Sequence, residues 1–376
     1  MLIASSIVAL AISYQAPAAK QAQLADGVHA LGVIDRITLE TPGGYYGAAY
    51  DSDKGEIFVT NADYGSVSVI SDSNNTMVAN IPVGSLPLDV VYDSGKGEVF
   101  VANYAYDSVS VISDRTNAVV ANITVGGQPS GLAYDSGKGE IFVANRLDNT
   151  VSVISDSTDS VIATVSVGNS PYNLVYDSAK SEIFVINYGD NTVSIISDST
   201  NSVVATVTVG NNPYCAAYDS GMGEIFVTNY NSSSVSVILD GNNTVVANIT
   251  SLDQPFGCVY DSGKGEIFVV NYDSISVISD STNTIVANIP SEIQSQSIAY
   301  DYGKGEIFVP NSEHGTVSVI SDSSVTSASP SPTVPELSGV GLILVAVAMI
   351  VVTMCAVAWA VRKSTRTNSD SKQKTK

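Results

Sequence analysis

The chain has 376 residues, 44% of them hydrophobic and only 14% charged, with a formal net charge of −21 at pH 7. An average soluble protein carries roughly 25% charged residues, and here Ser, Thr, Asn, Gly and Val fill the gap, which disfavours helices and suits strands and turns. Such acidity repels phosphate backbones and excludes nucleic acid as a partner; it fits a soluble exported surface, a basic partner or divalent cations gathered at that surface.

Residues 1–19 hold an apolar run from Met1 to Ile12 and the small-residue stretch Ala16-Pro17-Ala18-Ala19. They read as the core and cleavage region of a secretory signal, although no basic residue precedes the core. A lead-in, 20–32, follows.

From there the chain repeats. A tyrosine opens each of seven units, at Tyr50, Tyr92, Tyr134, Tyr176, Tyr218, Tyr260 and Tyr300, with spacings of 42 residues and a last one of 40. An Asn falls eleven residues after each: Asn61, Asn103, Asn145, Asn187, Asn229, Asn271 and Asn311. A period near 40 is the sign of a propeller blade or a solenoid coil. In the third unit the pattern predicts strands over 130–135, 140–145, 150–155 and 160–167, separated by turn residues such as Asp135-Ser136-Gly137-Lys138-Gly139.

The ends decide between the two architectures. Val33 to Leu39 matches the fourth strand of a unit, whereas the last unit stops after its third, Thr316 to Ser321. One terminus supplies the strand the other lacks. The expected fold is therefore all-β, a seven-bladed propeller of four-stranded blades over 33–323, its ring closed by the N-terminal strand so that no edge stays open. Phe58, Phe100, Phe142, Phe184, Phe226, Phe268 and Phe308 are expected as packing residues. The repeated Asp residues, such as Asp93, Asp135, Asp114 and Asp198, are expected to accept local backbone hydrogen bonds.

Residues 324–339, rich in Ser, Thr and Pro, read as an extended stalk. The next segment, 340–361, is an apolar run of 22 residues without a charge, long enough to cross a bilayer as a transmembrane helix. The tail 362–376 carries six basic residues against Asp370 alone. By the positive-inside bias the tail is cytoplasmic and the propeller extracellular, a single-pass type I protein of the cell membrane.

The strings Ile57 to Asn61 (IFVTN), Val99 to Asn103 (VFVAN) and Ile141 to Asn145 (IFVAN), with the preceding YDSGKGE, resemble YVTN-type β-propeller repeats over 33–323, with Phe in place of the family's Tyr. That family is one of archaeal cell-surface and surface-layer proteins. The resemblance implies an extracellular scaffold or adhesion role and carries no catalytic motif. Pro335-Glu336-Leu337, the apolar run and the basic tail are similar to a PEF-type sorting signal, with Leu337 replacing the aromatic.

Chemistry is sparse. The only histidines are His29 and His314, no Gly-x-Ser-x-Gly elbow or phosphate loop occurs, and no turn shows the ligand order of a calcium loop. No cofactor or metal site is expected. Cys355 lies in the apolar run. Cys215 and Cys258 sit three and two residues before their repeat tyrosines, so period-two alternation sends them to opposite faces and favours two free buried thiols; a disulfide stays open in an oxidising compartment. Sequons at Asn74, Asn122, Asn231, Asn242 and Asn248 are glycosylation candidates.

The expected function is a non-catalytic surface protein, of envelope or adhesion type, binding an envelope protein or glycan. The alternative is an extracytoplasmic propeller enzyme, lactonase-like or quinone-dependent. In a propeller the connections from strand four to strand one, and from two to three, share one face. The first set holds Tyr45, Tyr46, Tyr172, Tyr214 and Phe256, the second Tyr104, Tyr106, Tyr188, Tyr230 and Tyr272, with Asp107, Asp148, Asp190 and Asp273 among them. Rings beside carboxylates stack on sugars and serve as protein hot spots, so this set is the expected contact surface. The competing role for each ring is to plug the channel or cap a blade.

Overall fold

Turn chemistry cuts the chain into short strands. In blade three Asp135 Oδ1 accepts hydrogen bonds from the backbone N–H of Gly137 (2.8 Å) and Lys138 (3.2 Å). Gly139 then takes φ +67°, a conformation that L side chains rarely adopt. The strands Pro129–Asp135, Glu140–Asn145, Thr150–Ser155 and Ser160–Ser166 pair antiparallel in that order. This is a computed structural model, and it describes residues 31–39, 43–291, 295–312 and 314–322. Seven such four-stranded sheets are present, as expected.

The expected signal, stalk, membrane span and tail lie outside the described residues. Among the described residues no helix is long and apolar enough to cross a membrane.

Blades are held by layers between them. The second and third strands are buried on both faces, because each packs against a neighbour on either side. Between blades four and five, Phe184, Ile186, Val193 and Ile195 meet Ala216, Ile225, Val227 and Ile238. All seven repeat phenylalanines are fully buried in such layers, so their packing role is borne out. The repeat Asn is buried too: Asn145 Nδ2 donates to Thr150 Oγ1 (3.0 Å) and Ser152 Oγ (2.9 Å), tying the second strand to the third.

Blade seven is completed from the other end of the chain. Gly32–Thr38 pairs antiparallel with Thr316–Ser321 and brings Ile37 into the layer with Phe308, Val319, Ile57 and Ile70. Its register shifts between Val33 and Asp35, leaving Ile34 as a bulge. The outer strand of blade three shifts at the matching place, leaving out Ile162. The equivalents Val78, Val120, Val204, Val246 and Val286 are all exposed. These bulges break the hydrogen-bonding row on every outer edge, which keeps one ring from pairing with another.

Lateral polar contacts follow the same neighbour rule. Each repeat tyrosine sets its phenol against the carboxylate of the blade before it, as Tyr176 does with Asp135, and Tyr50 with Asp301 does so across the closure. The Asp residues of the third turn do more than expected. Asp198 is buried and receives Lys138 from the preceding blade at 3.8 Å, so it bridges blades as well as shaping its turn.

Candidate functional site

The innermost strands line a channel, and the third and fourth positions before each repeat tyrosine differ in role. Three residues before each repeat tyrosine lie Gly47, Asp89, Gly131, Asn173, Cys215, Gly257 and Ser297. Where a side chain is present it caps an N–H of the next blade. Asp89 Oδ2 accepts from Leu132 N (2.8 Å), Asn173 Oδ1 from Ala216 N (3.2 Å), Cys215 Sγ from Cys258 N (3.4 Å) and Ser297 Oγ from Ala48 N (3.1 Å). Where glycine stands the blades come too close for a Cβ, which at Gly131 would lie 2.6 Å from the Tyr172 carbonyl oxygen.

One residue earlier, Tyr46, Tyr172, Tyr214 and Gln296 line a cavity of about 170 Å³ together with Asp89, Asn173, Cys215, Cys258 and Ser297. Tyr172 and Tyr214 share a hydrogen bond between their hydroxyls (2.7 Å), and the Tyr214 hydroxyl donates onward to Gln296 Oε1. The rings continue outward as an arc. Tyr172 lies 6.1 Å from Tyr188 and 4.5 Å from Tyr214, which meets Phe256 edge-on at 5.4 Å, and Phe256 lies 4.9 Å from Tyr230. The Arg146 guanidinium stacks over both Tyr172 (5.4 Å) and Tyr188 (5.7 Å).

Five of the ten expected contact residues thus form one continuous arc: Tyr172, Tyr188, Tyr214, Tyr230 and Phe256. Tyr46 lines the cavity with Tyr172 and Tyr214. Tyr104 is held down, its hydroxyl donating to Gln128 Oε1 at 2.8 Å. Tyr106 and Tyr272 stand exposed in the loops. Tyr45 is a correction: it is fully buried, packed with Ile37, Leu39 and Val59, because neighbours on a strand point to opposite sides and Tyr46 takes the channel side. The loop acids are also engaged. Asp107, Asp148 and Asp190 accept from the N–H groups of Gln128 (2.9 Å), Gly127 (2.7 Å) and Asn169 (2.7 Å), clamping the two loop sets together. Asp273 offers its backbone carbonyl to Ser291 N (3.3 Å).

The cysteines are free, but they do not face apart. Cys215 is half-buried, and its sulfur accepts from Cys258 N and contacts the Cys258 thiol, because its position turns the side chain toward the next blade. Burial and that contact push the Cys258 thiol well above its ordinary value. Burial also pushes Tyr172 up to about 12 and Tyr214 well above the ordinary phenol value. All five sequon asparagines are exposed. Among the described residues no three His, Cys, Asp or Glu side chains gather as a metal site.

Arg146, Gln296 and Asp89 were absent from the expected set. Burial raises the Asp89 carboxyl to about 6, against a smaller lowering by the N–H groups of Leu132 and Val90. A raised folded-state value means the folded chain holds that proton more tightly than the unfolded chain, so stability is lost as pH rises through about 6. Asp89→Asn keeps an oxygen for Leu132 N, as Asn173 does for Ala216, and removes the charge. It is expected to gain about 2 kcal/mol at pH 8, allowing for water in the channel, and nothing at pH 4. Urea melts at the two pH values check this; an equal effect at both would contradict it.

A family model described as YNCE-like beta-propeller matches residues 123–318, more than half of the chain. Among solved structures, Kuenenia stuttgartiensis hydrazine synthase shares the fold with a TM-score of 0.69 at 16% identity, over 80% of this chain and 99% of that one. No curated protein matches. At that identity the likeness speaks for the fold alone. The resemblance to YVTN-type repeats holds at the level of the propeller family, and the chain belongs to the YNCE-like β-propellers.

Proposed function

We propose that this chain is a non-catalytic cell-surface propeller, of envelope, surface-layer or adhesion type, which holds an envelope protein or glycan on the face carrying the arc. The observation behind this reading is the arc itself: five rings from blades four, five and six in series, with Arg146 stacked at one end. Serial rings present wide, rigid contact area at low entropic cost, suited to sugar faces or a protein hot spot. Burial and the Cys215 contact push the Cys258 thiol up, away from the thiolate that nucleophilic chemistry needs. In this reading the apolar run 340–361 anchors the chain as a type I protein with the propeller outside, where the exposed sequons accept glycans.

The test is binding of the purified protein to cell-envelope material. Tyr188→Ala with Tyr230→Ala is expected to weaken binding at least about tenfold, as for paired hot-spot residues. Tyr302→Ala, on the exposed Asp-Tyr-Gly-Lys turn of the opposite face, is expected to leave it unchanged. The reverse pattern would move the contact to the other face.

A further inference from the structure

The mouth contact leaves the cavity beneath it without a role. At the ring of positions that cap the next blade's N–H, an amide (Asn173), a thiol (Cys215) and a hydroxyl (Ser297) each suffice. Asp89 does the same task with a carboxylate. A neutral acceptor would hold the blades equally well, so the structural task does not account for the charge. That carboxylate lies in the cavity wall together with Tyr46, Tyr172 and Tyr214. Among the described residues, the other titratable groups of the lining are those three tyrosines, from the inner strands of blades one, four and five, with Cys215 and Cys258 from blades five and six, and Asp89 is its one carboxyl. The Arg146 guanidinium is stacked on the Tyr172 ring.

A carboxylate among aromatic rings is the arrangement that holds an organic cation: the ring faces attract the charge, and their apolar bodies tolerate alkyl groups that a hydrated metal ion would not need. About 170 Å³ accommodates an ion of a few heavy atoms. A chain of net charge −21 also draws cations toward its channel. We propose that the channel cavity is a binding site for a small alkylammonium ion, with Asp89 as counter-ion and Tyr46, Tyr172 and Tyr214 as the cage. The hydroxyl chain from Tyr172 through Tyr214 to Gln296 lies in the same wall.

The test is titration calorimetry of the full-length protein with tetramethylammonium chloride in sodium buffer at pH 7.5. Saturable binding is expected, weakened at least tenfold by Asp89→Asn, whose fold is checked by its melt. In the wild type the affinity is expected to fall at least tenfold at pH 4.5, where Asp89 is protonated. The neutral isostere 2-methyl-2-propanol is expected not to compete. The proposal is overturned by no saturable heat up to about 10 mM, well above weak-site affinities, by affinity unchanged in Asp89→Asn or at pH 4.5, or by equal competition from the alcohol. The Tyr188 and Tyr230 variants should keep this binding, which separates it from the mouth contact.

Discussion

Deleting Gly32–Thr38 is expected to abolish cooperative unfolding of the propeller and to cause concentration-dependent association. The segment supplies the outer strand of blade seven. Without it Thr316–Ser321 becomes an edge, and the layer between blades seven and one loses Ile37, which is 4% exposed. An unpaired, flat, apolar edge pairs with whatever edge it meets. The loss also removes the bulge at Ile34 that breaks the hydrogen-bonding row elsewhere on the rim. Sedimentation and thermal melting check this. A monomeric deletion variant with the parental melting temperature would show that the ring does not depend on its closure strand.

Phe184→Ala is expected to cost about 3–5 kcal/mol, the range for a large aromatic removed from a core that cannot collapse. Its ring is fully buried between blades four and five, and the surrounding Ile186, Ile195, Ile225 and Val227 are fixed in strands on both sides. The matched change Phe142→Ala is expected to cost nearly the same, because its layer between blades three and four repeats the packing. Denaturant melts of both variants measure it. A cost below about 1 kcal/mol at either position would mean that the layers are not the stabilising unit.

The sequence made legible whatever recurs. Tyr, Asp, Phe and Asn at fixed spacing revealed blades, turns and layers, because every blade faces the same packing problem and solves it with the same residues. The match between Val33 to Leu39 and a fourth strand extended that logic to closure. The channel, by contrast, is where the blades differ, and a reading built on recurrence passes over single exceptions. Asp89 is such a case: its meaning emerges only when it is set beside Asn173, Cys215 and Ser297 at the same register. Arg146 stands where blades two, four, five and six carry Tyr104, Tyr188, Tyr230 and Tyr272, so recurrence points to a ring there and not to a cation.

Tyr45 and the facing of the two free cysteines depart from expectation for a different reason. Tyr45 and Tyr46 are adjacent, and strand alternation keeps both from facing one mouth. For the cysteines, alternation gives the face of a strand and not the lean of a side chain toward the next blade. The sulfur of Cys215 crosses that gap to Cys258 N.

The most direct measurement of the contact surface is hydrogen exchange of the full-length protein, free and bound to envelope material. Protection is expected in the loops that carry the arc, around Arg146, Tyr188, Tyr230 and Phe256. Amides of the Asp-Ser-Gly-Lys turns on the opposite face, such as Gly137 and Gly263, are expected to exchange as in the free protein. Protection of those turns, or of the outer strands, with the arc loops unchanged, would place the partner elsewhere and contradict the assignment of the mouth.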